Sequence, residues 1–124
     1  MVLAQVALIS LGASAGAVLR WAAGLWLDAR WAGFPLGTLL VNCLGGLLIG
    51  VALAGFERWP HDLLRLLLVT GFLGGFTTFS AFSAESLVLL QRGQLLLMIG
   101  HVLAHVAGGL VCAALGYRVA QAVA

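Results

Sequence analysis

The sequence predicts an all-α membrane protein with four transmembrane helices, the third of which is broken near the middle of the membrane. Hydrophobic residues make up 63% of the 124 residues and charged residues 8%, and the mean hydropathy is +1.15. This composition excludes a water-soluble globular protein. Four apolar stretches, each at least as long as the ~20 residues that cross a bilayer, fill a single membrane domain over residues 1–124. They are residues 2–27, 34–56, 63–90 and 95–120.

The connectors and the charges predict how the helices are arranged. Residues 28–33, 57–62 and 91–94 are too short to join anything but antiparallel neighbours. The formal charge of +2 is too small and too dispersed to indicate nucleic-acid binding. The six arginines divide almost evenly between the two membrane sides. Because Lys/Arg bias sets orientation, we expect insertion in both directions and an antiparallel, dual-topology homodimer.

The first stretch combines small residues with one arginine. Arg20 follows a long apolar run, and seven more residues precede Asp28. Its side chain either snorkels to the membrane interface or lines an aqueous vestibule, where it would attract anions. The small residues are expected to form one face for close helix packing, and they are Ser10, Gly12, Ser14 and Gly16.

The second stretch contains an asparagine where water is hard to reach. Asn42 lies two turns inside the apolar run that follows Pro35. It either makes a hydrogen bond between helices or donates to an anion that passes through the bundle. Gly46 and Gly50 form a GxxxG pair, which predicts a close helix contact.

The third stretch is longer than one span needs, and the excess coincides with the run GFLGGFTTFSAFSAES at 71–86. We predict a break within 74–78, because non-helical backbone in a membrane survives only where protein buries it or where it lines a wet cavity. Such breaks are typical of ion or substrate sites. The hydroxyl-bearing residues of the run are Thr77, Thr78, Ser80, Ser83 and Ser86.

A break at this point offers two kinds of backbone group. The first half-helix ends with free carbonyls, and the second begins with free N–H groups. Carbonyls suit a small hard cation such as Na⁺, whereas amides and hydroxyls favour an anion. Two breaks placed on a dimer axis would supply four carbonyls, enough for one cation cage.

Three phenylalanines accompany the break. Phe76, Phe79 and Phe82 recur every third residue and are predicted to form one stripe on the helix. An aromatic ring is positive at its edge, so Phe79 and Phe82 would contact a small anion without holding it tightly. The alternative is that all three rings only pack against their neighbours.

The fourth stretch contains two histidines one turn apart, His101 and His105. Two ligands are too few for a metal site, and the sequence offers no obvious third. Burial should keep both rings neutral, so that they either form part of a polar track or only bond to neighbouring helices. Beside them, small residues at steps of four are expected to admit a neighbouring helix, and they are Gly100, Ala104, Gly108, Cys112 and Gly116.

Three motifs carry a family resemblance. The sequences GFLGGFTTFSAFSAE at 71–85, GTLLVNCLGG at 37–46 and GAVLR at 16–20 closely resemble those of the Fluc (CrcB) fluoride channels. The resemblance implies a dual-topology homodimer with two antiparallel fluoride pores and one central Na⁺ that is not transported. In that pattern, Gly74 and Thr77 match the positions whose carbonyls hold Na⁺.

The resemblance also implies roles along the fluoride pathway. Asn42 matches the pore asparagine, and Phe79 and Phe82 match the pore phenylalanines. Arg20 matches the vestibule arginine, and Glu85 matches the acid beyond the phenylalanines. The fourth span departs from the pattern, because His101 and His105 stand where a tyrosine and a serine or threonine are usual.

The function predicted from these observations is a passive fluoride channel of the cell membrane that lowers toxic cytoplasmic fluoride. Fluoride is small and strongly hydrated, so its conduction requires donors that replace water without holding the ion tightly. Asn42 and the hydroxyls of Thr78, Ser80 and Ser83 can donate. The expected partners are a second copy of the chain, fluoride and the lipid bilayer, and no nucleic acid is expected.

Other functions fit the sequence less well. A small four-span proton-coupled guanidinium or drug exporter needs a carboxylate in its first span, and none precedes Asp28. A non-catalytic membrane subunit that packs against a larger partner would leave the broken polar helix unexplained. An enzyme is not expected, because no nucleophile–base pair is evident in the sequence.

Overall fold

Four helical stretches of the described residues are long and apolar enough to cross a membrane. The computed structural model describes residues 1–30 and 34–123, so the 28–33 connector is described only as far as Arg30. The number, length and composition of these stretches confirm the prediction of four spans. The stretches are Val2–Arg30, Leu36–Arg58, Asp62–Gln91 and Leu95–Val123.

The third span differs from the others because it is not one continuous helix. The first span is α1 (Val2–Leu27) with a 3₁₀ turn (Asp28–Arg30), and the second is α2 (Leu36–Arg58). The third consists of α3 (Asp62–Arg65), a π-helical segment (Leu66–Leu73), α4 (Gly74–Phe76) and α5 (Phe79–Gln91). The fourth is α6 (Leu95–Val123). Gly93, with a φ of 71°, forms the turn into α6, a left-handed conformation that favours glycine.

Helix α1 packs against the first half of the third span at glycine contacts. A Cβ atom on Gly12 would collide with the Leu67 carbonyl, and one on Gly16 with the Phe72 carbonyl. The predicted single face of small residues is wrong. Ser10 and Ser14 lie on the exposed side of α1, where the Ser14 hydroxyl donates to the Ser10 carbonyl at 2.8 Å, because positions two residues apart point in different directions on a helix.

Helix α2 packs along α6 through its GxxxG pair. A Cβ atom on Gly46 would lie 2.7 Å from the Gly109 carbonyl oxygen, and one on Gly50 would collide with that of Ala113. The predicted packing role of both glycines is confirmed. The small-residue ridge of α6 packs only in part, because Gly116 meets the backbone of Leu47 while Gly100 faces open space.

Many large apolar side chains are exposed. Exposed large hydrophobic side chains occur on every span, including Trp21, Leu48, Phe79 and Leu110. Extended apolar surfaces of this kind mark contact with lipid or with another protein chain. The buried apolar side chains of the described residues are few, namely Val41, Ala54, Leu73, Phe76 and Leu89. Together with the four apolar helices, this exposure identifies a multi-pass membrane protein.

Candidate functional site

Two threonines separate α4 from α5. Thr77 has φ −85° and ψ 157°, and Thr78 has φ −150° and ψ 119°, so both are extended. The Thr77 hydroxyl donates to the Leu73 carbonyl at 2.8 Å, alongside the Thr77 N–H at 3.0 Å. The Thr78 hydroxyl accepts from the Ala81 N–H at 3.1 Å and so caps α5. The sequence folds this way locally because the Thr78 hydroxyl replaces the acceptor that the Ala81 N–H loses at the interruption, while the Thr77 hydroxyl adds a second bond to the last turn of the preceding helix.

The interruption is attached to α2 by Asn42. The Thr78 N–H donates to Asn42 Oδ1 at 2.8 Å, and Asn42 Nδ2 donates to the Thr78 carbonyl at 3.0 Å. Asn42 therefore makes the interhelical hydrogen bond that was one of its two predicted roles. The amide group carries a second N–H, which these two bonds do not use.

The bonds of Asn42 and of the Thr78 hydroxyl leave two backbone carbonyls without their helical donors. In a continuous helix the Gly74 carbonyl would accept from the Thr78 N–H, but that donor is bonded to Asn42. The Thr77 carbonyl would accept from the Ala81 N–H, which is bonded to the Thr78 hydroxyl. Carbonyl oxygens are ligands that hard cations prefer, so the released pair fits the donor chemistry of Na⁺.

A cleft of about 540 Å³ lies beside the interruption, between α2, the third span and α6. Asn42, Thr78 and both predicted pathway phenylalanines line it, as do Gly74 and Thr77. The rings of Phe79 and Phe82 lie 5.6 Å apart between centroids, and Phe79 is 78% exposed. The rest of the described chain therefore leaves most of Phe79 uncovered.

The predicted stripe of three phenylalanines is wrong for Phe76. The interruption places Phe76 on α4, where its ring is buried and stacks on Phe72 at 5.5 Å between centroids. Helical periodicity cannot hold across two extended residues, so Phe76 points in a different direction from Phe79 and Phe82.

A second cleft of about 510 Å³ lies between α1, α2 and α5. Arg20 lines it, together with Asp28 and Thr38, and Arg20 Nε donates to the Gly75 carbonyl at 3.1 Å. Thr78 lines both clefts. The interruption thus forms the wall between a cleft that carries a guanidinium group and a cleft that carries aromatic rings.

Glu85 lies in a polar cluster between α2, α5 and α6. The Thr38 hydroxyl donates to Glu85 Oε1, and His101 Nε2 lies 3.4 Å from Glu85 Oε2. The rings of His101 and His105 lie 4.4 Å apart between centroids, and the Phe82 ring lies 5.3 Å from His101 and 4.6 Å from His105. The two histidines therefore adjoin a predicted pathway residue.

Two features of this cluster were missed from the sequence. Thr38 was not singled out, although it lies four residues before Asn42 and so shares its helix face. The expectation that His101 and His105 lack a third ligand is wrong, because Glu85 offers an oxygen within 4.8 Å of their ring nitrogens. No spacing rule links Glu85 to the histidines, since the pairing of α5 with α6 brings them together.

The remaining predicted residues lie close to the interruption without lining a cleft. The Ser80 hydroxyl lies 3.2 Å from the Thr78 hydroxyl. Ser83 is exposed on α5 and lines neither cleft. The arrangement as a whole places amide and hydroxyl donors on one side of Thr78 and a guanidinium group on the other, which can attract and partly desolvate a small anion.

Comparison with known proteins identifies the family. The family described as "CrcB-like protein, Camphor Resistance (CrcB)" matches residues 7–117. A protein from Tolumonas auensis is 54% identical over 114 residues, which are 90% of this chain and 90% of the relative. One from Desulfovibrio desulfuricans is 50% identical over 116 residues, 92% of this chain and 90% of the relative. Both relatives bear the name "Fluoride-specific ion channel FluC". The chain therefore belongs to the CrcB family.

Proposed function

We propose that this protein is a fluoride-specific ion channel that passively exports F⁻ across the cell membrane and thereby lowers cytoplasmic fluoride. The observation that carries the proposal is the position of Thr78, which Asn42 holds between two clefts. The relatives named fluoride-specific ion channels are about half identical to this chain over nine tenths of their length. That similarity supports the same substrate here.

The groups around Thr78 suit a small hydrated anion. Asn42 has an N–H that is free of the Thr78 bonds, and the first N–H groups of α5 lack helical acceptors. The positive end of the α5 dipole adds to these donors. The ring edges of Phe79 and Phe82 complete a path that replaces water without one tight site. Arg20 in the opposite cleft raises the local concentration of anions.

The proposed active form is an antiparallel homodimer with the interruption near mid-membrane. Gly74 and Phe79 are exposed on the single chain, although both line the cleft beside the interruption. A second copy placed on this face would close the cleft into a pathway. The almost even division of six arginines supports both orientations in the membrane.

The same dimer would bring two pairs of released carbonyls together. Gly74 and Thr77 would then hold a Na⁺ ion that is not transported. The ion would supply positive charge beside the anion route and link the two chains. In each chain these carbonyls are free of their helical donors because Asn42 and the Thr78 hydroxyl have taken them.

Liposomes that contain only this purified protein test the proposal. Vesicles loaded with fluoride should empty rapidly once a potassium shunt balances charge, and vesicles loaded with chloride should retain it. Fluoride-loaded liposomes without protein measure the leak of HF through the lipid, which is subtracted. Equal loss of both anions would contradict the selectivity, and fluoride loss that depends on a proton gradient would indicate a coupled exporter instead.

A further inference from the structure

The strongest feature that the channel function leaves unexplained is the cluster of Glu85, His101 and His105. Their ligand atoms lie within 4.8 Å of one another. His101 is 0% exposed and His105 is 8% exposed, so both rings are buried inside a single chain. The cluster combines two imidazoles and one carboxylate, a set of ligands that open zinc sites use.

Apart from the 3.4 Å approach of His101 Nε2 to Glu85 Oε2, the buried polar atoms of the cluster have no partner among the described residues. Glu85 Oε2 and all four ring nitrogens of the two histidines are buried without a hydrogen bond to a described residue. A buried polar group without a partner costs about 1–3 kcal/mol, and here five such atoms lie together. One ligand that accepts electron pairs from all three side chains would satisfy three of these five atoms, one in each residue.

We propose that Glu85, His101 and His105 bind a divalent first-row transition-metal ion of the Zn²⁺ class. The ligands of a tetrahedral zinc ion lie about 3.3 Å from one another, given metal–ligand bonds near 2.0–2.1 Å. His101 Nε2 and Glu85 Oε2 are already 3.4 Å apart. The wider separations, which are at most 4.8 Å, need to close by no more than about 1.5 Å when the side chains rotate toward the ion, a movement within the range of rotamer adjustment.

The surroundings support ligation. The Thr38 hydroxyl donates to Glu85 Oε1 and so fixes the carboxylate with its other oxygen toward His101. Outer partners of this kind orient metal ligands and raise affinity. The rings of Phe34 and Phe82 lie 5.4 and 5.3 Å from His101 between centroids and provide an apolar shell. His105 also lines the cleft of about 540 Å³, so an ion in that cleft can reach the cluster.

The bound ion would regulate the proposed channel, an effect that rests on the proposed function. Phe82 lines the same cleft as Asn42 and touches both histidine rings. A divalent cation held there would attract fluoride and retain it, because one strong site slows conduction. Zn²⁺ should therefore slow fluoride efflux.

Metal binding is tested by spectroscopy, without reference to transport. The protein used for this test carries the substitutions Cys43→Ser and Cys112→Ser, so that no thiol can bind the metal. It is titrated with Co²⁺ at pH 7.5 in detergent. We expect one Co²⁺ per chain with a visible d–d band, displaced by Zn²⁺. His101→Gln and His105→Gln should each weaken binding more than tenfold, and Thr38→Val about tenfold. His61→Gln, which alters an exposed histidine before α3, should leave the affinity unchanged.

Several results would overturn the proposal. If the monodisperse parent protein binds neither Co²⁺ nor Zn²⁺, the cluster is not a metal site. Equal binding by the parent, His101→Gln and His105→Gln would place the metal elsewhere. If either histidine variant aggregates, Thr38→Val and His61→Gln decide the question, because neither changes a ligand. If Zn²⁺ binds but does not slow fluoride efflux, the ion has no regulatory role. If the metal-free protein conducts no fluoride, the proposed channel function is refuted, and the Co²⁺ spectra still test the metal site independently.

Discussion

Asn42 holds both backbone polar groups of Thr78 with a single side chain. Its oxygen accepts from the Thr78 N–H at 2.8 Å, and its nitrogen donates to the Thr78 carbonyl at 3.0 Å. This paired arrangement mimics the bonding of one strand to another, and it keeps Thr78 extended between two helices. The position of the interruption therefore depends on α2 as well as on the third span.

Asn42→Asp tests whether the Asn42 amide donors are needed for conduction. The carboxylate still accepts from the Thr78 N–H, but it cannot donate to the Thr78 carbonyl and it places negative charge beside the anion route. Loss of one buried hydrogen bond and the added repulsion should lower fluoride efflux by at least about tenfold. Gln94→Glu makes the same chemical change in the exposed turn before α6 and should leave efflux unaltered. Equal efflux from the two variants in liposomes would exclude Asn42 from the pathway.

The Thr38–Glu85 hydrogen bond should be measurable as a coupling energy. Thr38→Val leaves Glu85 Oε1 without its donor, which should destabilise the protein by about 1–3 kcal/mol. Thr38→Ser keeps the hydroxyl and should restore most of the loss. A double-mutant cycle with Glu85→Leu, which removes the acceptor, is read from thermal unfolding in detergent and isolates the pair. Additive effects of the two substitutions would show that the bond contributes nothing.

The close contact of α2 with α6 predicts opposite effects for two glycines of the same helix. In Gly50→Ala the new methyl group collides with the Ala113 carbonyl, so the helices must separate at a cost of about 1–3 kcal/mol. In Gly55→Ala the methyl group meets nothing within 4 Å, and higher helix propensity should stabilise the protein slightly. Apparent melting temperatures of the two variants in detergent make the comparison. A tolerated Gly50→Ala would contradict the close contact.

Periodicity and composition predicted the number of spans and their bounds to within a few residues, because apolar length alone determines what can cross a membrane. Asn42 and Arg20 were also recognisable, since polar groups in apolar runs are conspicuous. The Glu85 cluster was not predictable, because it depends on which helices adjoin. The direction of Phe76 was mispredicted for a related reason, since a helical repeat was extended across residues that are not helical.

Dual topology predicts labelling from both membrane faces. In a Cys43→Ser, Cys112→Ser background, Ala29→Cys lies after α1 and Pro60→Cys lies after α2, at opposite ends of antiparallel helices. An impermeant maleimide should modify a fraction of each variant from either side of intact membranes. If Ala29→Cys reacts from one face alone and Pro60→Cys from the other alone, the chain has one orientation and the antiparallel dimer is excluded.

Removal of sodium should weaken the proposed dimer. If the Gly74 and Thr77 carbonyls hold Na⁺ at the interface, the ion stabilises the assembled protein by mass action, about 2.7 kcal/mol at a hundredfold excess over Kd. Exchange of Na⁺ for N-methylglucamine at constant ionic strength should therefore lower the apparent melting temperature and increase the monomer fraction. The Gly55→Ala variant, which leaves the carbonyls untouched, should respond as the parent does. Equal melting temperatures in Na⁺ and in N-methylglucamine would exclude the proposed cation site.

The π-helical segment Leu66–Leu73 makes the third span sensitive to residue count rather than to residue type. Its hydrogen bonds span one residue more than those of an α-helix, so the segment accommodates additional chain within its turns. Deletion of Leu68 would allow α-helical bonding through the segment, and this change of helix type would alter the rotation of α4 relative to α3 by part of a turn. Gly74 and Thr77, which line the cleft of about 540 Å³, would then be displaced relative to it. Conservative substitutions within the segment should be tolerated, whereas the in-frame deletion of a single residue should displace the residues that follow it in the third span.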